Sequence, residues 1–98
     1  MQSTHDPNYW EFIARLRRAR QVAGLSQAAL GQLIGKPQSF ISKIETCERR
    51  VDVIETLHLC RALGVPLHAL LPQTYHKDLG LASPLAESKS TDRGGIDE

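Results

Sequence analysis

The sequence predicts an all-α chain, one small domain of five short helices, on three observations. Apolar residues recur at spacings of three and four through successive segments. Glycines and prolines punctuate those segments. Side chains suited to helix capping, Ser26 and Asp52, stand where segments begin. With 98 residues, of which 41% are hydrophobic and 5% aromatic, the chain has material for a single core and an unstructured end.

The first helix opens at Pro7 or Asn8, carries Phe12, Ile13, Leu16, Ala19 and Ala23 on its apolar side, and stops at Gly24. Tyr9 and Trp10 at its start are expected to form a lid over the core. Ser26 caps a second helix of barely two turns, with Ala29, Leu30, Leu33 and Ile34 as its stripe and Gly35 as its exit. Pro37 suits the first turn of a third helix, because the missing N–H has no partner there anyway. Phe40, Ile41 and Ile44 then point inward, while Gln38, Ser39, Ser42 and Lys43 share the other side.

Asp52 with Glu55 reads as a capping box for a fourth helix, with Val53, Ile54, Leu57, Cys60 and Leu63 expected inside and Gly64 at its end. Pro66 starts a fifth short helix, Leu67 to Leu71, closed by Pro72. Residues 73–98 are rich in Ser, Asp, Gly and Pro without sustained periodicity, and are expected to be a mobile tail. The domain organisation is thus an N-terminal arm over 1–8, a domain over 9–72 and a mildly acidic tail over 73–98.

Composition narrows the function classes. Cys47 and Cys60 are too few and too far apart for a disulfide framework, which predicts a reducing, cytoplasmic setting. His5, His58, His68 and His76 show no ligand spacing, so no metal or other cofactor is expected. The N-terminus lacks an export signal, and the most apolar stretch, ALGVPLHALL, is short and broken by Pro66. No nucleophile–base pair or carboxylate dyad is visible, so an enzyme is not expected. The net charge of +1 conceals a surplus of three basic residues over 1–72 and of two acidic ones over 73–98.

Two short helices joined at Gly35-Lys36-Pro37, the second presenting polar side chains, describe a helix-turn-helix. An ordinary helical hairpin within a bundle shares the same pattern. The run LRRARQVAGLSQAALGQLIGKPQSFISKIE, followed by ERR and ALGV, resembles the Cro/repressor-type (XRE-like) helix-turn-helix family over about residues 12 to 71. The resemblance implies a compact five-helix, lambda-repressor-like domain, with the helix-turn-helix at helices two and three, that binds double-stranded DNA as a two-fold dimer.

It also implies roles for individual residues. Gln38, Ser39, Ser42 and Lys43 fall where base edges or adjacent phosphates are reached, and their chemistry suits such contacts, since glutamine pairs with adenine and lysine with guanine or a phosphate. Gln27 matches a glutamine that grips a phosphate and orients the recognition helix. Ser26, Lys36, Arg49 and Arg50 are the further phosphate candidates. Arg20 and Glu45 match a structural ion pair. Phe40 stands where small or polar residues are usual, and either packs or touches a thymine methyl.

Cys47 replaces the usual glycine after the recognition helix. A side chain at positive φ is mildly strained, which opens a different path for the loop TCERRVD. A thiol beside two arginines also invites a redox role through a lowered pKa, although an idle loop cysteine is the simpler expectation. The leading expectation is a transcriptional regulator, most simply a repressor on a pseudo-palindromic operator. An antitoxin or a restriction-modification controller that regulates its own promoter is the runner-up, with a toxin or other protein as a further partner. An adaptor that binds protein and touches DNA weakly is the alternative from another class.

Overall fold

The structure, a computed structural model, describes residues 6–80. Helix α1 spans Pro7–Val22, α2 Gln27–Leu33, α3 Gln38–Glu45 and α4 Val53–Leu63; a 3₁₀ turn over Leu67–Leu70 leads to α5, Gln73–Asp78. No strand occurs among the described residues.

Local chemistry sets most of these boundaries. Asp6 caps α1, its carboxylate accepting from the Asn8 backbone N–H at 2.8 Å. The Ser26 hydroxyl accepts from the Ala29 N–H at 3.0 Å. The Asp52–Glu55 capping box is complete in both directions, and Gly64 closes α4 with φ +71°.

The core gathers one face from every long element: Ile13 and Leu16 of α1, Leu30 of α2, Ile41 and Ile44 of α3, Leu59, Cys60 and Leu63 of α4, and Leu70 of the 3₁₀ turn. The stripe of α4 departs from expectation. Thr56 and Leu59 are buried with Cys60 and Leu63, whereas Val53, Ile54 and Leu57 face outward. Burying Thr56 is inexpensive because its hydroxyl donates to the Asp52 carbonyl at 2.8 Å. Leu33 is likewise exposed.

Two further expectations are corrected. The segment Leu67–Leu70 is a single 3₁₀ turn and not an α-helix. Residues Gln73–Asp78, assigned to the tail, form α5, anchored by a buried His76 whose Nε2 lies 3.0 Å from the Leu71 carbonyl oxygen. The expected tail from residue 81 onward lies outside the described residues.

The turn between α2 and α3 depends on Gly31. A Cβ there would lie 2.6 Å from the Lys36 carbonyl oxygen, closer than real Cβ contacts come. The same approach lets the Lys36 N–H donate to the Gly31 carbonyl at 2.8 Å. Cys47 adopts φ +63°, the only positive φ of a non-glycine among the described residues, so the loop after α3 keeps the left-handed turn that a glycine would favour.

Candidate nucleic-acid interface

Helix α3 presents one polar face. Gln38, Ser39 and Lys43 are exposed and Ser42 is half-buried, while Ile41 and Ile44 anchor the opposite face in the core. The four residues expected to meet bases are therefore brought together on one short helix.

Behind that face runs a continuous hydrogen-bonded chain. Arg20, at the end of α1, grips Glu45 at the end of α3 with two bonds, Nε to Oε2 at 2.6 Å and Nη2 to Oε1 at 3.0 Å. Its remaining Nη1 donates to the Leu25 carbonyl at 2.8 Å. The Glu45 side chain is only 4% exposed, so a partner for its charge is obligatory. Gln27 of α2 donates from Nε2 to Glu45 Oε1 at 2.9 Å and accepts on Oε1 from Gln38 Nε2 at 2.6 Å. One buried carboxylate thus ties α1, α2 and α3 together and ends at an exposed amide. Arg17, a residue not singled out from the sequence, approaches the same carboxylate at 3.9 Å while remaining mostly exposed.

A second assembly flanks the face. Phe40 is half-buried, with Lys36 Nζ 5.2 Å and the Arg49 guanidinium 4.6 Å from its ring centroid. Phe40 therefore packs and also serves as a platform for two cations. Arg49 binds Glu55 with two 3.0 Å bonds and also donates to the Arg50 carbonyl at 2.7 Å. The Arg49 hydrogen bond holds the Glu55 carboxyl below its ordinary range, and the pairing raises Arg49 in turn. Arg49 is thus committed within the protein, whereas Arg50, next to it, is exposed.

The loop that carries both arginines is pinned from α1. The Val51 N–H donates to Tyr9 Oη at 3.2 Å, and Tyr9 rests against Phe12 with ring centroids 5.9 Å apart. Burial pushes the Cys47 thiol up, opposite to the lowering that a redox role beside the arginines required. Among the described residues, no group of three or more His, Cys, Asp or Glu side chains could hold a metal ion.

A family model described as a helix-turn-helix domain matches residues 11–72. The solved structure of an XRE-family like protein from Pseudomonas syringae pv. tomato str. DC3000 is 42% identical, with a TM-score of 0.64 over 70% of this chain and 84% of that one. The chain belongs to the XRE-like helix-turn-helix family. The restriction-modification controller protein C.AhdI from Aeromonas hydrophila is 32% identical, with a TM-score of 0.63, over 67% of this chain and 100% of its own length. No curated protein matches.

Within this XRE-like domain, α2 and α3 form the helix-turn-helix, and the ordinary-hairpin reading falls away. Ser26, Gln27 and Lys36 lie at the start and end of the α2 unit, with Ser26 and Lys36 exposed and Gln27 half-buried. The Lys36–Phe40–Arg49 stack and the Arg49–Glu55 pair were not anticipated. A signal for the first exists, since Lys36 and Phe40 are four apart; the second joins a loop to the next helix and has no periodic signature.

Proposed function

We propose that this XRE-like protein is a sequence-specific DNA-binding transcriptional regulator, in its simplest form a repressor, acting in the cytoplasm. The observation that carries the reading is the exposed Gln38, Ser39 and Lys43 on a helix held from behind by the Arg20–Glu45–Gln27 chain. A polar helix face anchored this firmly suits base readout in a major groove. Ser42 completes the reading face. Ser26, Gln27, Lys36 and Arg50 supply phosphate contacts, while Arg49, held by Glu55, braces the loop beside them.

The protein acts as a homodimer on a pseudo-palindrome, with its two recognition helices about 34–36 Å apart. What supports a self-association face is exposed apolar surface on α4 and beyond: Val53, Ile54, Leu57, Leu67, Tyr75 and Leu79. Leu70 of the neighbouring 3₁₀ turn belongs to the core, at 1% exposure. The second reading is a restriction-modification controller, favoured by the likeness to C.AhdI along that protein's full length.

Selection of bound duplexes from a random pool, with sedimentation of the resulting complex, tests the proposal. Enrichment of a two-fold motif bound by two copies is the expected result. Absence of any enriched sequence would remove the regulator reading and favour a protein-binding adaptor.

A further inference from the structure

We propose that His76 is a proton-sensitive latch: neutral, it holds α5 against the body of the domain, and protonated, it lets α5 go. The latch stands on its own geometry, while its consequence for self-association rests on the dimer reading.

Helix α5 has little else to hold it. It is six residues long, Gln73–Asp78, starts at Pro72 without a side-chain cap, and has His76, 6% exposed, as its one buried side chain. A helix this short does not persist in water by itself. The His76 ring fixes it through Nε2, 3.0 Å from the Leu71 carbonyl oxygen. A carbonyl only accepts, so Nε2 carries the proton of the neutral ring and Nδ1 is bare. Nδ1 is buried and has no hydrogen-bond partner among the described residues.

That arrangement tolerates one ring proton and not two. A second proton can go only to Nδ1, where it creates a buried donor and a buried charge with no acceptor to meet either. The surroundings give no relief. The ring beside His76 is His68 of the 3₁₀ turn, edge-on with centroids 6.2 Å apart, and protonation of His68 would add a like charge. On α1, Glu11 is spent on Arg15, which also donates to the Ala69 carbonyl of that turn. Arg61 of α4 and Lys77 and Asp78 of α5 are exposed. Among the described residues no carboxylate pairs with the His76 ring. The charged ring is better accommodated in water, and it reaches water by release of α5. Docking is therefore complete while His76 is neutral and is lost as pH falls.

Tyr75 and Leu79, 39% and 55% exposed, leave with the helix. Both belong to the proposed association face. Acidification thus removes part of the dimer contact without touching the reading helix.

The test is a pH titration of the full 15N-labelled chain from about pH 7.5 to about pH 5.5, the range in which histidine changes charge. Wild type, His76→Gln and His68→Gln are compared, with the dimer dissociation constant measured by sedimentation at both ends. In wild type the amide resonances of residues 73–79 should move to random-coil positions with the same midpoint as the His76 ring nitrogens. The docked-to-released ratio should fall roughly five- to 150-fold, the range for stranding one buried donor, while the amides of α4 stay in place. His76→Gln keeps an NH2 for the Leu71 carbonyl and has nothing to protonate, so α5 should remain docked throughout. His68→Gln should still release it. The dimer dissociation constant should rise about fivefold or more in wild type and less than about twofold in His76→Gln.

Amides of 73–79 that stay in place down to about pH 5.5 overturn the latch. So does release of α5 in His76→Gln with the wild-type midpoint, or loss of release in His68→Gln, which would assign the switch to the other imidazole. If His76→Gln leaves α5 released at both ends, the shared midpoint of ring and amides in wild type decides alone. Ring and amides that change together while the dimer constant stays the same keep the latch and remove α5 from the association face, so the two failures are distinguishable.

Discussion

Arg49 lies over the Phe40 ring, its guanidinium 4.6 Å from the ring centroid, while both of its terminal nitrogens hold Glu55. An arginine in this position braces the loop after the recognition helix before it meets any phosphate. Arg50 is its unencumbered neighbour. Arg50→Ala is expected to weaken binding equally on all duplexes and to flatten the log–log salt dependence by about 0.9. Arg49→Ala should flatten it less. Binding isotherms across a salt series check both, and an equal slope change for the two would put Arg49 on a phosphate.

The same pair predicts a pH dependence. Glu55 titrates lower in the folded protein than in the unfolded chain, with the Arg49 hydrogen bond as the largest cause. Its contribution to stability is therefore complete above the unfolded carboxylate pKa and is lost as pH falls through the lower folded value. Arg49→Met should narrow the gap between the melting temperatures at neutral and acid pH. Parallel thermal melts on wild type and variant measure it; an unchanged gap would mean that the pair contributes nothing to the acid loss.

Arg20→Met should be the most damaging of these changes to the fold. It strands a buried Glu45 carboxylate with only Gln27 and a distant Arg17, at a cost of about 3–5 kcal/mol. Urea denaturation gives the figure directly. Replacing Arg20 and Glu45 together by apolar residues should recover much of the loss, because the desolvated charge is then gone.

Gly31→Ala is expected to destabilise the domain by about 1–3 kcal/mol, the usual range for overpacking. The new methyl would meet a backbone carbonyl 2.6 Å away, which a side-chain rotation cannot relieve. Urea denaturation again reads the change, and a neutral result would show that the α2–α3 turn yields easily.

Readout and anchoring should separate in binding assays. Gln38→Ala should cost about 1–3 kcal/mol on the preferred operator and little on random DNA. An equal loss on both would move base recognition to Ser39, Ser42 and Lys43.

Helix starts and stops were legible because they are local chemistry: Ser26, the Asp52–Glu55 box and Gly64 act within one turn. The side of α4 that is buried was not. Val53, Ile54, Leu57, Leu59, Cys60 and Leu63 cover two apolar arcs, and periodicity cannot choose between them; the buried arc is the one packed against the other helices, and Thr56 is accepted there because its hydroxyl bonds the Asp52 carbonyl. Helix α5 lacks an apolar stripe altogether and is held by His76 against the Leu71 carbonyl, a contact without a pattern. At the interface, the residue types on α3 were readable from spacing. Their wiring through Gln27 was not, since it joins three helices whose relative placement no single segment encodes.

The closeness of α2 to the turn at Gly31 has a consequence for control. With backbone meeting backbone there, and with Glu45 tying both helices to α1, the reading head moves as one piece and has no internal hinge between brace and probe. A signal that switches such a protein has little to gain by reshaping the head. In the proposed dimer, its effective target is the distance and angle between two heads, where a displacement of a few ångströms puts one of them out of phase with the groove.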